Sequence, residues 1–482
     1  MRWRYILSVL GVLVLFLGLS MLFPLLVSLI YGDGSGYPVL ISMGITIGCG
    51  VLLYLLFRGQ NVETITQPEG MTIVTLGWAV VGLFGALPFY LGGVFELFVD
   101  AYFESVSGFT TTGSSVLTNI EGVSKGLLFW RAFIQWLGGM GIIVLSVAIL
   151  PFLGIGGMQL YKAEVPSPVP DKLRPRIRDT AMILWKVYAL ISAVQVVMLM
   201  LGGMSLYDAL CHAFTTMPTG GYSTKNTSIA HFDSVYFDVV IIVFMLLAGI
   251  NFSLHYQLLR GKTLVFWRDA ECRFFLAVLG LLIVIVSFDV YGSVYESAGR
   301  ALRYGAFQVV SIITTTGYAT ADYEKWPAMS QLILLFCMFF GASAGSTGGG
   351  VKAIRVMICL KYCYNELFTL IHPHAVRLIK IKGKSVPEDV TRSILGFLAL
   401  YVVLFAISSV VLAGMGVDFI TAIAAVAATL GNIGPGLGMV GPADNYAAIP
   451  YAGKWLLIWC MLLGRLEIYT VIILMVPEFY RK

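Results

Sequence analysis

Threonine offers a backbone carbonyl and a hydroxyl, both able to coordinate a dehydrated monovalent cation without the fixed charge that would trap it. Here threonine stands beside glycine in short segments that recur about every 100 residues. The copies are S-V-S-G-F-T-T-T-G-S-S (Ser105 to Ser115), A-F-T-T-M-P-T-G-G-Y-S (Ala213 to Ser223), V-V-S-I-I-T-T-T-G-Y-A (Val309 to Ala319) and V-A-A-T-L-G-N-I-G-P-G (Val426 to Gly436). Laid over one another without gaps, they put Gly113, Gly221, Gly317 and Gly434 in one column. Four such turns around one axis supply what a cation selectivity filter needs: carbonyl oxygens to replace the water shell, and glycine to let the backbone turn them inward. A single Gly/Thr turn reads as an ordinary loop; four gap-free copies, all between helix pairs, do not. No copy places Asp or Glu in the glycine column, which weighs against a divalent-selective acidic ring. The copies are unequal: Pro218 stands where the first and third have Thr110 and Thr314, and Gly431-Asn432-Ile433-Gly434-Pro435 has lost the threonines. The expected ring is only approximately symmetric, with fewer well-formed ion sites and weaker discrimination than four identical T-V-G-Y-G loops.

The elements that must hold these turns are membrane helices. The chain is 58% hydrophobic and 12% charged, against about a quarter charged in an average soluble domain. A helix needs about 20 apolar residues to cross the hydrocarbon core. Ten such segments are expected, near 5–30, 36–58, 71–92, 127–150, 182–204, 235–258, 273–292, 329–360, 393–415 and 451–476. Each repeat then reads helix, half-length segment plus turn, helix, and the first two helices stand outside the scheme. With the N-terminus inside, inward-facing segments hold 23 of the 31 Lys and Arg, including Lys172, Arg174, Arg176 and Arg178 in one loop and Arg377, Lys380, Lys382 and Lys384 in another. That asymmetry follows the positive-inside rule. The outward-facing side carries 14 Asp and Glu against seven bases, so it concentrates cations. All four turns then face outward, and half-helices leading into them direct the negative ends of their dipoles at the filter. The apolar N-terminus has no small-residue cleavage pattern and reads as the first membrane helix rather than a signal peptide. The seven cysteines lie mostly in apolar segments, which argues against a disulfide framework.

Two further features sit inside the apolar segments. F-F-G-A-S-A-G-S-T-G-G-G-V-K-A-I-R (Phe339 to Arg355) interrupts the eighth with Gly341, Gly345, Gly348, Gly349 and Gly350, around Ser346 and Thr347. Each glycine costs up to about 1 kcal/mol in a helix interior. The helix is expected to break here, below the filter, into a loop able to obstruct or open the path; close helix packing through small residues is the alternative. A phosphate-binding loop is excluded because Val351 separates Gly350 from Lys352 and no strand precedes. Arg465 is expected near the middle of the last segment, two residues before Glu467 and off its helix face. An ionisable residue at that depth faces a bundle interior or a wet cavity. A pore-facing arginine raises a barrier to cations; the alternative is a structural ion pair or hydrogen bonds to exposed carbonyls. Cys359, Cys363, His372 and His374 make a poor zinc set, since the cysteines continue an apolar helix. The basic loops serve as solvated anchors, or as contacts for anionic lipid or a cytosolic partner. No Ser/His/Asp arrangement, H-E-x-x-H or Arg-rich voltage-sensing helix is present, and no enzyme activity is expected.

These features together resemble the TrkH/KtrB/HKT superfamily of potassium transporters. G-G-M-G-I-I-V-L-S-V-A-I-L-P (Gly138 to Pro151), T-G-G-Y-S-T (Thr219 to Thr224), T-G-G-G-V-K and G-N-I-G-P-G are similar to its TrkH branch, and two extra N-terminal helices favour that branch over KtrB. The resemblance implies an all-α polytopic membrane protein, with four helix–pore loop–helix repeats around one central pore plus two extra N-terminal transmembrane helices. The expected divisions are 1–70 for those helices, then repeats at 71–165, 166–262, 263–372 (with a broken second helix) and 373–482. It maps the filter onto Thr110, Thr111, Thr112, Gly113 and Ser114; Pro218, Thr219, Gly220, Gly221 and Tyr222; Thr314, Thr315, Thr316, Gly317 and Tyr318; and 431–435. K+ is expected at Thr111, Thr112, Thr219, Gly220, Thr315, Thr316, Asn432 and Ile433, with the gate at 341–350, Lys352 and Arg465. Pro218 and Tyr222 depart from the more usual S-T-G-G-F and bear on fine selectivity. The implied protein is a K+-uptake homodimer of the bacterial inner membrane, both termini cytoplasmic, each protomer with its own pore. No cofactor is expected in this chain: ATP, ADP or NAD would bind a cytosolic TrkA-type ring. Membrane lipids are expected partners and nucleic acid is not. The alternative reading is a K+ symporter coupled to Na+ or H+.

Overall fold

The computed structural model describes residues 1–59, 66–139, 141, 177–373, 377–381 and 384–479. Most of them are helical, as a chain with few partners for its backbone in lipid must be. A hairpin pairing Lys380–Ile381 with Lys384–Ser385 is the sole named sheet among the described residues. The N-terminal helices Trp3–Ser20 and Leu22–Tyr31 run on as one span, and Gly36–Phe57 returns beside it. Small residues let these backbones approach: a side chain at Gly11 would meet Tyr54 N at 2.7 Å, and one at Gly50 would meet Leu15 N at 2.6 Å.

Four helix, half-helix, helix units follow. The first is Gln67–Gly85, Phe98–Phe109 and Lys125–Gly139; the second is Ile177–Leu201, Leu206–Thr216 and Val235–Gly249 with Phe252–Leu259. The third is Ala270–Val290, Ala298–Ile313 and Ala328–Cys337 with Ala353–Ile371. The fourth is Glu388–Gly414, Phe419–Leu430 and Tyr451–Arg465 with Tyr469–Ile472. The half-helices hold 12, 11, 16 and 12 residues, too few to cross the hydrocarbon core. Side-chain caps fix two of their starts: Ser205 Oγ accepts from Asp208 N at 3.1 Å, and Asp418 Oδ2 from Thr421 N at 3.0 Å.

Among the described residues six helices are long and apolar enough to span, or up to eight if each bent pair counts as one. The expected sixth and tenth spans are therefore not straight. Val235–Gly249 and Phe252–Leu259 meet at 103°, and the last pair of segments at 113°. The first bend falls where Asn251 caps a new helix, its Oδ1 accepting from Ser253 N at 2.8 Å. The second falls at Glu467 and Ile468, whose φ values are 59° and 44°. The expected break in the third repeat spans residues 338–352. The fourth expected segment is described only to Gly139, with Gly141; the rest of Gly138–Pro151, together with Lys172, Arg174, Arg176, His374 and Lys382, lies outside the described residues.

Candidate cation filter and gate

Each half-helix ends where its Thr/Gly turn begins, so four helix C-termini, each carrying about half a negative charge, lead into the turns. The turns share an uncommon backbone. Besides the glycine column (Gly113, Gly221, Gly317 and Gly434, at φ 83°, 70°, 79° and 103°), the residue two places earlier is left-handed in all four. These are Thr111, Thr219, Thr315 and Asn432, at φ 54°, 60°, 59° and 54°. Three are β-branched, for which this conformation is an outlier, costing on the order of 1–3 kcal/mol each and persisting only where the surroundings dictate it.

The glycine column closes the ring. A side chain built on Gly113 would overlap the carbonyl oxygen of Gly220, one on Gly221 that of Thr316, and one on Gly317 that of Ile433. On Gly434 it would meet the Thr112 oxygen at 2.8 Å. The sequence of contacts is first turn to second, third, fourth and back to first. In every case the oxygen belongs to the residue just before the glycine. The carbonyls of Thr112, Gly220, Thr316 and Ile433 thus each lie against the glycine of the neighbouring turn, four neutral oxygens of the kind that can coordinate a cation.

Buried side chains brace the ring. Thr110 and Thr112 hydroxyls pair at 2.7 Å, and their third-repeat counterparts Thr314 and Thr316 at 2.8 Å. Asn432 Nδ2 donates to Thr112 Oγ1 at 2.9 Å and to Met461 O at 3.0 Å. Ser114 Oγ and the Tyr446 hydroxyl both donate to Gly434 O, at 3.2 and 2.7 Å. Tyr222 donates to Glu104 O at 2.9 Å and Ser114 O at 3.2 Å, and Tyr318 to His212 O at 3.1 Å. Pro218 packs on Gly139, and Pro435 lies beside Gly317. Behind the first two turns, Glu104 pairs with Arg131 at 2.6 Å, both side chains almost wholly buried. Sequence reasoning missed Glu104, Arg131 and Tyr446; the signal for the first two was charge placed inside an apolar context.

The loop at 338–352 lies directly against this ring. Gly349 N donates to Thr315 Oγ1 at 2.7 Å, and a side chain at Gly349 would meet Gly431 O at 2.5 Å. Thr347 Oγ1 donates to Met217 O at 2.9 Å, while one at Gly348 would meet Thr314 O at 3.1 Å. The loop thus touches the second, third and fourth turns at once. Gly341 N bonds Val351 O at 2.7 Å and draws its two ends together. Gly345 and Gly350 take φ values of 75° and 64°, which glycine adopts freely. Ser346 Oγ donates to Ser343 O at 2.5 Å, and Lys352 Nζ donates to Gly348 O.

Arg465 is the last residue of its helix, just before the 113° bend, rather than mid-helix as expected. The bend frees its guanidinium to reach Thr347 O of the loop at 2.9 Å, and Gly138 O and Gly139 O at 2.8 and 3.0 Å. Of the two expected readings the hydrogen bonds to exposed carbonyls are the one the geometry displays, and one of those carbonyls belongs to the loop. Glu467 lies beyond the helix end and pairs with Arg355, which follows the loop. On the loop's other side, Glu271 Oε1 accepts from Ala344 N at 2.6 Å and Ile354 N at 3.2 Å. Neither clamp was visible in the sequence, because each depends on where a bend or loop returns.

The TrkH family, described as cation transport protein, matches residues 38–480. The chain is 44% identical to the Trk system potassium uptake protein TrkH of Halomonas elongata and 43% identical to that of Escherichia coli (strain K12), each over the whole of both chains. The solved structure of the potassium transporter TrkH from Vibrio parahaemolyticus superposes with a TM-score of 0.90 at 39% identity, again covering both chains completely. The chain belongs to the TrkH family of cation transport proteins.

Proposed function

We propose that this chain takes K+ into a bacterial cell through a gated, K+-selective pore. The observation that carries the reading is the closed ring, in which the carbonyls of Thr112, Gly220, Thr316 and Ile433 each lie against the glycine of the neighbouring turn. A neutral carbonyl ring replaces the water shell of a monovalent cation without holding it too tightly to leave. Relatives named as potassium uptake proteins supply the ion. The membrane potential supplies the drive, about 2.3 kcal/mol per charge per 100 mV.

In this reading the 338–352 loop, held by Arg465, is the closed gate. The positive-inside asymmetry supports both termini in the cytoplasm and a filter facing outward, in keeping with a bacterial inner-membrane protein. The Trk-system names of the relatives support further components. These are a second copy of the chain, with one pore per protomer, and a cytosolic TrkA-type ring that holds the nucleotide. Radiotracer K+ uptake into vesicles carrying the purified protein tests the proposal. Uptake above empty vesicles that falls in selectivity with Gly113→Ser supports it; uptake equal to empty vesicles, with and without the cytosolic ring, overturns it.

A further inference from the structure

One of the four ring carbonyls differs from the others. Gln135 Nε2, from the first repeat's inner helix, donates to Gly220 O at 2.7 Å, and its Oε1 accepts from Tyr222 N at 3.2 Å. The amide thus grips the second turn on both sides of Gly221. Gln135 is fully buried, and a side chain at Gly220 would strike its amide. One helical turn earlier, on the same face, Arg131 Nη1 donates to Ser223 O at 3.1 Å. Its guanidinium also lies 3.5 Å from the centre of the Tyr222 ring. Glu104 fixes that guanidinium in turn. Among the described residues, no side chain donates to the equivalent carbonyls of Thr112, Thr316 or Ile433.

We propose that Gln135 is a specificity-determining positioning residue, which acts through the Gly220 carbonyl; the inference rests on the K+-pore reading. A carbonyl oxygen has two lone pairs, so one can face the ion while the other accepts from Gln135. The held oxygen cannot move inward onto a smaller ion. A ring with one fixed member serves K+ and closes poorly around Na+. The second turn, like the fourth, lacks the hydroxyl that in the first and third turns pairs with the next threonine but one; Pro218 takes its place, and Gln135 supplies a brace there instead.

The test compares tracer uptake of K+ and Na+ in vesicles carrying the full-length protein, Gln135→Leu or Gln135→Met. Both variants roughly keep the bulk and lose both the donor to Gly220 O and the acceptor for Tyr222 N. The preference for K+ over Na+ is expected to fall about fivefold, the ratio to which one net hydrogen bond to the ring carbonyl corresponds, through a rise of Na+ uptake relative to K+ uptake. Uptake of both ions falling in proportion, or an unchanged ratio in both variants, overturns the inference and leaves the pore reading standing. Loss of the monodisperse gel-filtration peak in both would make Gln135 a folding residue and also overturn it. A wild-type protein without K+ preference overturns the pore reading itself.

Discussion

Arg465→Ala removes a guanidinium that bonds three carbonyls, of which one, Thr347 O at 2.9 Å, belongs to the 338–352 loop. A hydrogen bond to a charged group contributes about 1.5–3 kcal/mol. Its loss shifts the loop's equilibrium away from the ring roughly 10- to 150-fold. The same change removes a positive charge from beneath the filter, which acts in the same direction. Arg465→Lys separates the two effects: it keeps the charge, but its single ammonium lacks the planar fork that spans the loop and the helix end at Gly138 and Gly139. The assay is initial-rate K+ tracer uptake in vesicles at matched protein density. If the latch dominates, both variants raise uptake, with Arg465→Lys at least half-way to Arg465→Ala on a logarithmic scale. If the charge alone sets the barrier, Arg465→Lys stays at the wild-type rate. Uptake unchanged in both variants would refute the assignment of Arg465 to the gate.

Gly317→Ala is expected to open the ring, since a side chain there overlaps the Ile433 oxygen at φ 79°; the measured K+ over Na+ ratio should collapse, and an unchanged ratio contradicts the ring closure. Glu271→Leu leaves Ala344 N and Ile354 N without their acceptor, at about 1–3 kcal/mol for each buried donor. K+ uptake should rise as the loop loosens, whereas Glu271→Gln, which keeps an oxygen in place, should stay near wild type; equal rates in all three proteins would count against the clamp. At the turn after the first span, burial pushes the Asp33 carboxyl up, but bonds from Ser28 Oγ, Gly126 N and both donors of Ser35 outweigh it and hold it below the usual carboxylate range. With the folded value depressed, this contribution is complete above about pH 4 and is lost as pH falls through the depressed value. Thermal unfolding in detergent should show an acid limb that is shallower in Asp33→Asn, and identical profiles would contradict the assignment.

The glycine column was legible because glycine marks its own need: Gly113, Gly221, Gly317 and Gly434 all stand where a side chain would strike the next turn. The left-handed column at Thr111, Thr219, Thr315 and Asn432 was not, since nothing in a threonine's identity announces a positive φ. The same contrast separates the helix breaks. Five glycines between Phe339 and Arg355 made the third repeat's break plain, whereas the bends at Asn251 and at Glu467–Ile468 have a single glycine before each, Gly249 and Gly464, and polar residues that a helix also tolerates. Missing the last bend put Arg465 inside a helix instead of at its end, from which it can turn toward the loop. Gln135 and Arg131 carried a fainter mark: two polar residues one helical turn apart in an apolar segment signal a partner, but not which partner.

The reversal potential of the purified protein in liposome patches, under opposing K+ and Na+ gradients and with its cytosolic ring present, bears most directly on the central claim. A K+-selective carbonyl ring predicts reversal near the K+ equilibrium potential. Reversal midway between the two ions, or no current while tracer uptake requires Na+ or H+ on the same side, would contradict it.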